Sequence, residues 1–278
     1  MLKIGQINPL VVVGEFPFGY QLLHPEDDRP VVLAEPVEQP LAVDSQIDAM
    51  VYTGENGQLA ASLASPKITA GQVKVLKAVG VTDFAAFFDW GLPRDLMVPR
   101  QNQASAINQG MVYPVYLYFD EATQRLLGTT KLHHHLSESG VYYSPGQEVE
   151  LIVCGQTELG YKVVINQTHL GLVFASDAFK KLKMGDETNG FIKQIREDGK
   201  IDVVLQQVNA TARDSLQHAI LDDLEAHGGF STLTDKSPPE EIYARFNVSK
   251  AAYKRALGAL YKQQKIQLDK QKVTLIND

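Results

Sequence analysis

The residues best suited to chemistry in this chain of 278 residues are aromatic and cationic. Phe84 and Phe87 lie three apart in the run Phe84-Ala85-Ala86-Phe87-Phe88-Asp89-Trp90. Rings exposed on such a segment can stack on unpaired bases, a contact of roughly 1–3 kcal/mol per base. Lys74, Lys77, Arg94 and Arg100 flank the run and are suited to holding phosphates beside it. Further along, Lys162 and Phe174 precede a basic stretch, Lys180, Lys181 and Lys183. From 249 to 272 the cations Lys250, Lys254, Arg255, Lys262, Lys265, Lys270 and Lys272 meet a single acid, Asp269, for a local charge of +6. Stacking rings and clustered cations are the chemistry of nucleic-acid recognition. Plainer roles compete with it, because aromatic residues are common in strand cores and lysines solubilise surfaces and outer helix faces. Phe88 and Trp90 are expected to point inward.

Catalytic groupings are missing. No Ser/His/Asp set, phosphate-cradling loop or close carboxylate pair stands out, so no catalytic residue, cofactor or small-molecule substrate is expected. His133-His134-His135 invites a metal, yet consecutive residues of a strand face alternate sides and cannot converge on one ion, and no metal site is expected. Cys154 is the only cysteine, which excludes an intrachain disulfide and fits a buried structural thiol in a reducing compartment. Neither a signal peptide nor an uninterrupted apolar stretch of membrane-spanning length is present, so the expectation is a cytoplasmic protein with no membrane partner. The net charge of −7 argues against non-specific coating of nucleic acid. Residues 1–65 hold 2 lysines and arginines against 9 acids, whereas 66–140, 141–213 and 214–278 come to +1, −1 and 0. Phosphate binding should therefore avoid the N-terminal segment.

These side chains need elements to carry them, and internal repeats show what the elements are. Gly5-Gln6 is followed by Gly14, Gly71-Gln72 by Gly80 and Gly146-Gln147 by Gly155, each at the same spacing, while Gly57-Gln58 has no such glycine. Gly19-Tyr20 aligns with Gly160-Tyr161, and Leu76, Val98 and Gly110 align with Leu151, Val173 and Gly185. Within each unit the apolar residues recur at a two-residue period broken by turns, as in Val149, Leu151 and Val153, and Asp198-Gly199 reads as a hairpin turn. Five short strands per unit suit an OB-type barrel, which removes exposed edges and offers a face to oligonucleotides. The last segment differs. Helical spacing over 214–227 stops at Gly228-Gly229, a second helix runs from Pro238-Pro239 to about Phe246, and a third from the N-cap Ser249 to about Gln263. Lys265 to Leu268 and Val273 to Ile276 form a terminal hairpin. The expected fold is multidomain and mainly β: three tandem barrels at 1–65, 66–140 and 141–213, then a winged helix at 214–278.

The run from Phe84 to Pro99 resembles the central pattern of S1 domains, in which two phenylalanines around a glycine precede a Gly-Leu-Val-His stretch. Gly171-Leu172-Val173-Phe174 matches the later stretch except for its histidine. With Asp89-Trp90-Gly91-Leu92-Pro93, three S1-like units and a C-terminal winged helix, nearly the whole chain is similar to the conserved virulence factor B family. That resemblance implies an RNA-binding regulator without enzymatic activity. Several positions depart from the pattern. Ala85 replaces the glycine, Gln21 and Lys162 occupy the second aromatic position in the other units, and Pro99 and Phe174 stand in place of the histidine. Strict alternation would put Phe84 and Phe87 on opposite faces, so both can meet one ligand only if a bulge separates them. The first barrel, acidic and without the pair, is expected to have no RNA surface of its own. The expected partner is single-stranded RNA. A winged helix reading duplex DNA and a protein adaptor on a ribosome or ribonuclease remain as alternatives.

Overall fold

Short alternating strands with no long apolar stretch close on themselves, and the computed structural model shows how this chain does so. It describes residues 1–54, 57–175, 177–178, 180–206 and 210–276. The chain folds as two compact units, Met1–Leu136 and Ser137–Asp278. In the first unit β1 (Ile7–Phe16), β2 (Gly19–His24), β3 (Asp27–Leu33), β4 (Gln46–Thr53) and β5 (Leu59–Ser62) form a closed barrel in the order β1-β2-β3-β5-β4. Its β3–β5 pair is parallel, and Leu10, Val12, Leu22, Val31, Leu33 and Val51 fill its core.

β6 (Val73–Val81), β7 (Ala85–Asp89), β8 (Leu96–Pro99), β9 (Val112–Asp120) and β10 (Arg125–Thr129) follow the same circuit. Here the ladder is interrupted between β8 and β10, leaving a curled five-stranded sheet instead of the fully closed barrel expected from the repeat. Side chains bridge the gap. A Cβ built on Gly128 of β10 would lie 2.7 Å from Val98 and 3.2 Å from Leu96 of β8. Beyond β8, the Asn102 carbonyl accepts from Thr129 Oγ1 at 2.9 Å and from Thr130 N at 3.0 Å. Phe88 and Trp90 are buried in this core as expected, and Met50 of β4 joins them there.

The repeated Gly-Gln pair marks the turn into each first strand. Gly5, Gly71 and Gly146 all take positive φ, and their amides donate to Val51, Leu117 and Ile192 at 2.7–2.8 Å. His133 and His134 do not lie on a strand but in a 3-10 turn spanning Leu132–His134, and the ring of His135 stacks at 4.5 Å on Tyr116.

In the second unit β11 (Glu148–Thr157), β12 (Gly160–Ile165), β13 (His169–Phe174), β14 (Glu187–Ile195) and β15 (Ile201–Val204) close in the order β11-β12-β13-β15-β14. Cys154 is the extra residue of a bulge on β11, and burial pushes its thiol up to about 12, in keeping with an unreactive structural role. The α1 (Ala210–Ala226), β16 (Phe230–Ser231), α2 (Pro239–Phe246), α3 (Lys250–Lys262), β17 (Ile266–Leu268) and β18 (Val273–Leu275) elements complete the winged helix. α1 begins four residues earlier than its periodicity indicates. Gly229 ends it by donating to Leu224 O at 2.8 Å. The two-residue β16, with too little sequence for any period, adds a third strand beside the hairpin in the order β16-β18-β17. Among the described residues no helix is long and apolar enough to cross a membrane.

Candidate nucleic-acid interface

One hairpin register recurs in all three barrels and sets up the candidate site. The first strand of each carries a bulge, and the glycine after it pairs with one residue of the second strand: Gly14 with Gln21, Gly80 with Phe87, Gly155 with Lys162. A bulge sharpens the local twist and re-aims the residue opposite it. Phe87 is thereby held outward on β7 while Phe88 points into the core. Phe84 reaches the same side by another route. The strand starts only at Ala85, after a Thr82–Ala85 turn closed by Thr82 N to Ala85 O at 2.8 Å, and Phe84 is 65% exposed. The two rings meet edge to face with centroids 6.2 Å apart. The bulge expected between them lies instead on the neighbouring strand β6, and Ala85 is fully buried without a glycine's freedom being needed.

The flanking cations are spread around this pair. The Arg100 amide donates to Phe84 O at 2.8 Å, which places the Arg100 backbone beside that of Phe84. Lys77 stands opposite Asp89 on the β6–β7 ladder. The Lys67 ammonium, 2.5 Å from Asp89, is the first cause holding that carboxyl below its usual range, and Lys77 adds to it. Lys67 escaped the sequence reading because nothing local ties it to Asp89. Lys74 is half-buried in register with Val115, below the start of the β6–β7 ladder. Arg94 exerts its charge elsewhere, on Tyr52 of β4, where it opposes the upward push that burial and Glu35 give the phenol.

In the third barrel a groove of about 250 Å³ opens on the second and third strands and the loops at their ends. Leu159 comes from the β11–β12 turn, Lys162 from β12, Leu172 from β13, and Arg196 and Lys200 from either side of the Asp198-Gly199 turn, with Glu138 at the rim. These are the strand pair and the two loops with which OB barrels hold oligonucleotides. Phe174 does not present a free ring, since Arg196 Cζ lies 5.3 Å and Lys193 Nζ 5.9 Å from its centroid. Lys180, Lys181 and Lys183 fall outside the groove lining, on the connection between β13 and β14 that buried Leu182 anchors to the core. Arg196 and Lys200 were missed. Their signal was available in the Asp198-Gly199 turn, which they flank.

In the winged helix, Ser249 Oγ caps α3 by accepting from Ala252 N, and Tyr253, Ala256, Leu257 and Leu260 form its buried stripe. Helical spacing then forces Lys254, Arg255 and Lys262 outward, together with Tyr261, which is 56% exposed and was not singled out in the sequence. Lys250 is half-buried and donates to Lys236 O at 3.3 Å, and Lys254 lies 3.9 Å from Asp235. Lys265, Lys270 and Lys272 are exposed on the hairpin.

Residues 218–275 match the CvfB-like winged helix domain. Over 98% of this chain and 94% of the relative, the sequence is 25% identical to conserved virulence factor B of Staphylococcus epidermidis. It is 24% identical to the uncharacterized protein YitL of Bacillus subtilis, over 95% of this chain and 91% of that one. Among solved structures it is similar to a multidomain protein with nucleic acid binding domains from Streptococcus pneumoniae, at 23% identity, 98% coverage of both chains and a TM-score of 0.43. The sequence likeness to conserved virulence factor B extends along nearly the whole chain.

Proposed function

With a CvfB-like winged helix at 218–275 and a likeness to conserved virulence factor B along nearly its whole length, we propose that this chain is a cytoplasmic regulator that binds single-stranded RNA and acts by binding, not catalysis. The domains run 1–65, 66–140, 141–213 and 214–278, with contacts on the second barrel, the third barrel and the winged helix. The observation that carries this reading is the Phe84–Phe87 pair, its rings brought together by the turn before the second strand of an OB-type sheet and by that strand itself. An exposed ring, Phe84, beside the half-buried ring of Phe87 suits stacked unpaired bases, since a duplex keeps its base faces inside the helix. Lys77 and Arg100 beside the pair, Lys162 and Lys200 in the third barrel, and the α3 and hairpin cations supply phosphate contacts. Duplex DNA is the second reading, favoured by the outward Lys254, Arg255 and Lys262 of α3, the helix that enters the groove in winged-helix proteins.

Binding of single-stranded RNA, single-stranded DNA and duplex DNA at two salt concentrations tests this. The full chain should prefer single strands, with affinity falling as salt rises. The double variant Phe84→Ala/Phe87→Ala should lose about tenfold or more in RNA affinity, on the scale of one to two stacked bases. Undiminished RNA binding by that variant would remove the stacking surface from the proposal. Preference for duplex DNA, lost when the chain is cut near Arg213, would select the second reading.

A further inference from the structure

The third barrel lacks the aromatic pair of the second. Lys162 stands at the register of Phe87 and Leu159 at that of Phe84, while the nearest outward ring, Phe174, is already covered by Arg196 and Lys193. What opens on the groove is Arg196 itself. Two interactions hold its guanidinium, and a turn holds its backbone. Its carbon lies 5.3 Å from the Phe174 centroid. Nε and Nη2 converge on Asp202 Oδ1 at 2.7 and 2.6 Å. Its backbone is pinned by the Asp198-Gly199 turn, through Arg196 N to Lys200 O and Gly199 N to Arg196 O, each at 2.9 Å.

Asp202 is the unusual member. It is 1% exposed on β15, in register with Leu172 of the groove, and its second oxygen accepts from Gln194 Nε2 at 2.8 Å. A carboxylate is costly to bury, and this one serves two side chains on one surface of the barrel. A surface arginine needed only for charge would require no such support.

We infer that Arg196 is the base-stacking platform of the third barrel, a guanidinium set against Phe174 and fixed by Asp202 on which an unpaired base lies, with Lys162 and Lys200 taking the adjacent phosphates. This rests on the reading above that the groove holds single-stranded RNA. A guanidinium is planar and weakly hydrated, and bases stack on it as they do on aromatic rings. Because Asp202 offsets its charge, Arg196 contributes little to phosphate neutralisation. Asp202 is a positioning residue.

The charge balance gives the test its discriminating readout. Full-length protein is titrated with short oligoadenylate RNA, intact or carrying abasic sites, across a range of salt. Arg196→Lys keeps the charge and removes the plane. It should lower affinity for the intact strand about tenfold, equally at every salt concentration, and change nothing for the abasic strand. Lys200→Ala should weaken both strands and make the salt slope shallower by about one. Asp202→Asn should reproduce a smaller version of the Arg196→Lys loss, with melting curves recorded to separate any loss of fold. Arg196→Lys binding the intact strand like the parent protein, or weakening both strands alike, would overturn the inference while leaving RNA binding in place. Failure of the parent protein to bind oligoadenylate would remove the RNA reading and this inference with it.

Discussion

Gly160 shows how much a single atom can decide at a strand entry. Its φ is +151°, and a Cβ there would sit 2.2 Å from the Val173 carbonyl oxygen on the paired strand β13. Gly19 has the same close approach to Leu33 O, so the first and third barrels share the constraint. At the equivalent place in the second barrel, Ala85 faces Pro99 and is fully buried. Gly160→Ala should therefore destabilise the protein by about 1–3 kcal/mol, read as a lower denaturant midpoint, since the backbone must move or hold strain. Ala85→Gly, by contrast, relieves no clash and should not raise the midpoint. Phe84 and Phe87 belong to this scale too: their residue types were legible as a stacking pair, while their shared side was not. Alternation places them on opposite faces of one strand, and only the late start of β7 releases Phe84 from it.

Among the elements, α3 joins stability and binding most directly. Ser249 supplies the cap, four buried side chains supply the packing, and what remains of the surface is Lys254, Arg255, Tyr261 and Lys262. Ser249→Ala should cost about 1 kcal/mol in denaturant unfolding, because the Ala252 amide loses its acceptor. The triple variant Lys254→Ala/Arg255→Ala/Lys262→Ala leaves the buried stripe intact and should melt like the parent protein. Its affinity for nucleic acid should fall with a salt slope shallower by about three, one for each cation taken off the phosphate backbone. A slope unchanged from the parent would show that this helix face only solvates the domain. The groove of the third barrel is likewise a product of elements: its wall needs a hairpin turn, two strands and a second turn to arrive together.

For the whole molecule, charge and core placement divide the labour. Residues 1–65 carry the entire net charge of −7 and residues 249–272 a local +6, so phosphate contacts are expected outside the first barrel. The second unit has a barrel core and a winged-helix core built wholly from its own residues, and Gln206 joins the two parts by donating to Asn247 O and accepting from Ser249 N. A fragment of residues 137–278 should therefore unfold cooperatively on its own and retain salt-dependent nucleic-acid binding, as followed by circular dichroism and titration. A fragment without a melting transition would show that this unit depends on residues 1–136.

Much of this architecture was determined by the sequence alone. Repeated glycines, two-residue alternation and helix caps act over a few residues, so three barrel units, the winged helix and its outward cations could be read from local pattern. The likeness to conserved virulence factor B followed from the same residues. Tertiary structure decided what depends on contacts between distant strands. It left the second barrel's ladder open between β8 and β10, covered Phe174 with Arg196 and Lys193, and kept Lys180, Lys181 and Lys183 out of the groove lining. It also buried Asp202 beneath Arg196. Neither a charge count nor a period reports which ring a cation will cover, because that is set by strand register and turn geometry across the barrel.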